Sequence, residues 1–339
     1  MIDFRYHLVS IVAVFLALAI GIVIGASALK PDVVKFFDNA STREQRTIST
    51  QQANIRNLEN QLASNQAFAQ AAAPRLLSGL LAGQQVALVT APGADATTVN
   101  GVTAALKLAG AEITTQAALQ PSFFDTSAGT QISLKALAQQ TAPPGLLLQT
   151  TGVNPLIAGQ QEAAQVLAAA LVTKEGADLP ADQVNNILTR FAQQGFLQLN
   201  PAGGSAATHQ ATLAVVIIPG SPPAADANPA NLALISVAEQ LRLSSPSHGG
   251  VVLAGSQNGS GPGSAIDELI SGSTGAQLSS VDNADKEVGQ ILVVQALSYL
   301  LTGHKPAAYG TGAVPSPAPT PSPTPSATAS VTLKPPVRA

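Results

Sequence analysis

Cysteine is absent from the 339 residues, and the single methionine is Met1. Disulfides, thiolate metal sites and cysteine nucleophiles are excluded, and no thioether is available as a ligand inside a folded domain. The absence of cysteine leaves the compartment open, because oxidising and reducing spaces both tolerate it. Tryptophan is missing and aromatics make up 4% of the chain, which argues against stacking platforms. Charge is scarce: Asp, Glu, Lys and Arg total 10%, against roughly 25% in an average soluble protein. The net charge of −3, from 16 basic and 19 acidic residues, supplies no surface for phosphates and speaks against a nucleic-acid partner.

Apolar residues are plentiful, at 46%. The run Leu8 to Leu29 carries no charge and, at about 1.5 Å per helical residue, spans about 33 Å. That length crosses the ~30 Å hydrocarbon core of a bilayer. Ala26-Ser27-Ala28 satisfies a signal-peptidase pattern, but the apolar stretch exceeds a signal core, so the expectation is an uncleaved anchor. Arg5 and the amino terminus precede the span, with Asp3 opposing them. Beyond it, Lys30 and Lys35 are balanced by Asp32 and Asp38. The positive-inside rule places the amino terminus in the cytoplasm and the rest outside. Ala13, Ala17, Gly21 and Gly25 recur every fourth residue, a small-xxx-small stripe suited to close helix pairing. Such residues are also common in membrane helices generally.

After Pro31, Ile48, Ile55, Leu62 and Ala69 fall at one heptad position and Gln51, Leu58, Asn65 and Ala72 at the other. The spacing predicts a helical, coiled-coil-like stalk that dimerises with help from the span, closed by Pro74. The alternative is a solvated single helix that packs on the next domain. From Gln84, short apolar runs alternate with amphipathic stretches. Strands are expected at 86–90, 112–116, 146–150, 213–218 and 251–254. Helices are expected at 97–109, 162–172, 181–193, 231–243 and 287–301, with a further one at 265–270. This alternation predicts an α/β fold with a doubly wound, mostly parallel sheet. From Ala313 the chain is rich in Pro, Ser, Thr and Ala and reads as a disordered tail, able to carry O-linked sugars or to reach through an envelope layer. The expected organisation is a membrane anchor at 1–30, a helical stalk at 31–75, an α/β domain at 76–310 and the tail at 311–339.

Ligands of α/β domains bind at the carboxyl ends of the strands, so a site is sought in the loops after Thr90, Ile218 and Ala254. The first lacks G-x-G-x-x-G spacing. The third, Gly255 to Gly263, offers glycines before a helix but has no P-loop lysine, and reads either as an anion-binding loop or as a flexible one. His7, His209, His248 and His304 are isolated, with no i,i+3 or i,i+4 pair for zinc. His209, His248 and His304 are the only metal candidates that remain in the domain, and weak ones. No G-x-S-x-G and no defined carboxylate pair is present. Asp282 and Asp285 read as caps of the following helix in preference to metal ligands.

Both ends of the folded region carry a resemblance. Met1 to Ala26, together with Ser280-Val281-Asp282-Asn283-Ala284-Asp285, Gly289, Leu297 and Tyr309-Gly310, resembles the actinobacterial copper transporter family typified by mycobacterial copper transport protein B. The likeness runs from Met1 to Gly310, strongest at the two ends and architectural between them. It implies a single-pass envelope protein, associated with the outer membrane, that acts in copper transport and keeps intracellular copper low. Asp282, Asn283 and Asp285 are then family-motif residues, and copper is the implied ligand. The sequence departs from this implication in its chemistry, because soft Cu(I) favours Cys and Met and the domain has neither. Copper homeostasis therefore stands first. A non-catalytic envelope scaffold or ligand-binding module stands second and an enzyme last. One apolar span encloses no hydrophilic path, so transport implies a homo-oligomer or an envelope partner.

Overall fold

The computed structural model describes residues 4–27, 31–149, 154–173, 178–200, 210–220, 224, 227–245, 250–272 and 277–311, with the backbone alone for 4–5, 26–27 and 31–44. The chain divides into two compact units, Met1–Asn65 and Gln66–Ala339.

In the first unit, α1 runs from Phe4 to Ser27, and its stretch Tyr6–Gly25 is long and apolar enough to cross a membrane. Helix α2 starts at Pro31, where a missing N–H has no cost, and continues to Leu77. Ile48, Ile55, Leu58 and Leu62 are all about half exposed or more.

The end of α2 belongs to the second unit. Pro74 does not close this helix. Although it removes one helical hydrogen bond, its own carbonyl accepts from Ser78 N at 3.2 Å, and one turn on Leu77 is completely buried. Ala69, Ala73 and Leu77 pack with Leu81, Leu106 and Leu297, and that burial holds the last turn in place.

Seven strands form one sheet: β1 (Gln85–Thr90), β2 (Glu112–Leu119), β3 (Leu197–Asn200), β4 (Leu213–Ile217), β5 (Val251–Ala254), β6 (Ser279–Val281) and β7 (Ala308–Tyr309). Their spatial order is β3-β2-β1-β4-β5-β6-β7, parallel throughout except for β3, which runs antiparallel along β2. Helices cover both faces. Ala87, Val89, Ala214, Val216 and Leu253 point to one side, covered by α4 (Ala128–Thr141), α5 (Ala158–Leu171), α6 (Ala181–Gln193), α7 (Asn228–Ser244) and α8 (Ala265–Ser271). Val86, Leu88, Val215, Ile217 and Val252 point to the other, covered by α3 (Ala96–Leu108), α9 (Glu287–Leu301) and the end of α2. Because both faces are buried, these strands are continuous apolar runs and not alternating ones.

One expected strand is absent. Residues 146–149 have no strand partner. Instead the Gln165 carboxamide accepts from Gln149 N at 2.7 Å and donates to Gln149 O at 3.2 Å, taking the place of a neighbouring strand. Leu146 and Leu148 pack inward while Leu147 is 88% exposed, so the apolar run serves one face only.

Candidate functional site

Strand order reverses between β1 and β4, where an α/β sheet usually opens a ligand crevice. Here the backbone closes it. Ala91 N donates to Ile217 O, and Gly220 N to Gly93 O, each at 2.8 Å. Gly93 turns with φ +79°, and the Asp95 carboxylate occupies the space that a Cβ on Gly220 would need.

In the loop after β5, four amides are already engaged within the protein. Gly255 N donates to Val281 O, Gln257 N to the Asp285 carboxylate at 3.0 Å, Gly259 N to Ser256 Oγ at 3.1 Å and Gly263 N to the Asp267 carboxylate at 2.8 Å. Ser256 Oγ in turn donates to Gly220 O at 3.0 Å, so the loop is a braced connection between two sheet-end turns.

Asp282, Asn283 and Asp285 are brought together with Gly289, Tyr309 and Gly310, and none caps α9. The helix is preceded by Lys286, in extended conformation and without a side-chain cap. Asp282 Oδ1 accepts from Thr311 N at 2.8 Å, and Asp282 N donates to Tyr309 O, so this residue holds the segment 309–311 at β7. Gly310 has φ +129°, and a Cβ there would fall on the Asp282 carboxylate. Asp285 is used by Gln257 N and by Lys286 Nζ at 3.1 Å. The Asn283 carbonyl lies where a Cβ on Gly289 would be, and Asn283 Oδ1 is buried with no hydrogen-bond partner. Burial, and then the nearby Tyr299, raise the phenol of Tyr309 above its ordinary value. The capping expectation failed because both carboxylates turn toward backbone amides of other segments.

His304 stands just after α9, its ring stacked on Tyr299 at 3.7 Å and its Nδ1 at 2.8 Å from Thr302 Oγ1. His209 and His248 lie outside the described residues. Among the described residues, no group of three or more His, Asp or Glu is placed to hold a metal ion. Ala13, Ala17, Gly21 and Gly25 lie on exposed α1, and a Cβ at Gly21 or Gly25 would meet nothing within 4 Å.

Sequence reasoning missed a buried carboxylate. Glu162 on α5 is 2% exposed, its Oε1 3.4 Å from Lys135 Nζ on α4 and its Oε2 without a partner. It stands among Gln160, Gln161 and Gln165 at the start of its helix, a polar stretch that reads as a solvated turn, so no local signal marks it as buried. It clamps two helices and reaches neither of the clefts that follow.

Those clefts are each of about 510 Å³. One lies at the carboxyl ends of β1 and β2, lined by Asn100, Gln116, Gln120, Asn200, Pro92 and Pro121 among others. The other lies beside α5 and α7, where Gln165 and Gln210 line it. Among the described residues, no titratable side chain lines either, so those residues supply no acid, base or charged anchor there.

A family model described as "Copper transport outer membrane protein, MctB" matches residues 1–319. The copper transporter MctB of Mycobacterium tuberculosis (strain ATCC 25618 / H37Rv) is 25% identical over 320 residues, covering 92% of this chain and 97% of that relative. The copper transporter MctB of Mycobacterium leprae (strain TN) is 28% identical over 331 residues with the same coverage. The likeness thus extends from the apolar helix through the whole sheet, and the chain belongs to the MctB family of copper transport outer membrane proteins.

Proposed function

We propose that the chain is a membrane-anchored envelope protein that acts in copper transport and efflux, keeping cellular copper low, and that it is not an enzyme. The observation that carries this reading is the family match over residues 1–319, supported by relatives that bear the name copper transporter over nearly their whole length. In this reading α1 stays attached as a single pass, with Arg5 on the cytoplasmic side and the bulk of the chain outside. The outer membrane named in the family description is reached, in this reading, by the part of the chain that lies outside. Of the tail expected at 311–339, all but Thr311 lies outside the described residues.

Copper is cargo here and not a resident cofactor. Cu(I) selects thiolates and thioethers, and the domain has neither. The chain therefore organises a pathway whose tight metal ligands belong to an envelope partner. It does so as a parallel homodimer. Ile48 and Ile55 at one heptad position with Leu58 at the other is the pattern of two-stranded parallel pairing, and these side chains are exposed in the single chain. The flanking positions Thr47, Gln52, Asn54, Glu59, Gln61 and Gln66 carry one charge, so like charges do not oppose self-pairing. A shared membrane anchor raises the effective concentration of a short seam.

Deletion of the gene tests the function. Cellular copper measured by mass spectrometry is expected to rise; unchanged copper with unchanged copper tolerance favours the second reading, a scaffold or ligand-binding module that never handles the metal.

A further inference from the structure

The two clefts have the same volume and are both rich in carboxamides, but their hydrogen bonding is opposite. Beside α5, Gln165 is engaged with both backbone groups of Gln149, and Gln210 accepts from Leu179 N at 2.6 Å and donates to Ala169 O and Val172 O. Those amides are structural. At the ends of β1 and β2, the Gln120 amide is directed to Ala118 O at 3.2 Å, whereas the side chains of Asn100, Gln116 and Asn200 have no partner among the described residues. Gln116 and Asn200 face each other in register across β2 and β3, and Asn100 comes from α3. Three carboxamides, each able to donate and to accept, therefore converge on one cleft with their capacity free.

The surroundings narrow the ligand. No charged side chain lines the cleft, and the Asp95 carboxylate already stands at the start of α3, where an anion would otherwise be favoured. β2 offers a peptide strand no edge, because Gln116, Ala117 and Ala118 are paired with β1 on one side and with β3 on the other. The outer edge of β3 is open, and a peptide is therefore the control probe. What remains is side-chain amides, which suit hydroxyls, between the apolar rings of Pro92 and Pro121, which suit the C–H faces of a sugar. The volume is that of a small-molecule site, and the cleft opens at the carboxyl ends of β1 and β2, beside the closed switch point. We infer that this cleft is a binding site for a neutral carbohydrate, held by Asn100, Gln116 and Asn200. The site is independent of copper handling and gives the domain a means of attachment to uncharged glycan.

The full-length chain in a phosphocholine detergent, which brings no sugar of its own, is titrated with maltotriose and with chitotriose, with trialanine amide as the peptide control. Saturation-transfer NMR reads contact with the probe. At least one sugar is expected to bind in the millimolar range or tighter. Asn100→Ala and Asn200→Ala, both at exposed positions that leave folding intact, are each expected to weaken it about tenfold. Gln240→Ala, in the other cleft, is expected to leave it unchanged. Absence of sugar contact, binding that both asparagine variants retain in full, or contact with trialanine amide alone would each overturn the inference.

Discussion

Gly289 sets how closely α9 approaches the turn after β6. With the Asn283 carbonyl in the space of a missing Cβ, the neighbour is backbone and cannot rotate away. Gly289→Ala is expected to destabilise the domain by about 2 kcal/mol through overpacking, measured by denaturant unfolding, whereas Gly21→Ala, with open space around it, leaves that value unchanged. Asp125 is the other informative residue. Its carboxylate accepts from Thr130 Oγ1 at 2.7 Å, from Ser127 N and from Ser127 Oγ, and these bonds hold its pKa below the ordinary 3.8. The folded value lies under the unfolded one, so the contribution is fully present above pH 3.8 and is lost as pH falls through the folded value. Amide exchange at the start of α4 should accelerate over that acid range, beyond its intrinsic pH dependence, and Asp125→Asn should abolish the excess. The residues of the family likeness could be picked out in the sequence, but their role could not. Asp282 and Asp285 bond to amides of Thr311 and Gln257, far along the chain, and no local pattern encodes such partners.

At the scale of elements, the long apolar runs were legible and the short edge pieces were not. The helix at 181–193, the strand at 251–254 and the helix at 287–301 lie where periodicity placed them. β6 and β7 have three and two residues, and β3 alternates Leu and polar side chains at a sheet edge, so none of them carries an apolar run to read. The helix α4 was missed for another reason. Its polar residues Gln131, Ser133 and Lys135 alternate with apolar ones, and its start is set by Ser127, whose side chain accepts from Thr130 N at 3.4 Å. The cleft lined by Asn100, Gln116 and Asn200 was invisible in the sequence because it depends on β3 folding back across β2. On α2, the exposed seam makes a prediction. Ile55→Asp with Leu58→Asp should abolish crosslinking of the stalk in membranes and leave the unfolding midpoint of the domain within error, since both side chains are exposed in the single chain. Gly21→Leu with Gly25→Leu should weaken crosslinking through the span, and unchanged crosslinking would remove the helix stripe from the account.

For the whole molecule, family membership and ligand chemistry point to different parts of a copper pathway. The family match covers the chain from the apolar helix to the sheet, but the only imidazoles in the domain are His209, His248 and His304, and His304 is engaged with Tyr299 and Thr302. Competition of the full-length chain against a Cu(I) chelator should therefore show weak binding, without a stoichiometric step. The most direct test of the central claim is cellular copper in a deletion strain complemented with a chain carrying His209→Ala, His248→Ala and His304→Ala, at the protein level of the wild type. A chain that organises the pathway while another chain holds the metal restores low copper as fully as the wild type. Copper that stays at the level of the deletion strain would show that these histidines bind the cargo, and would contradict the account.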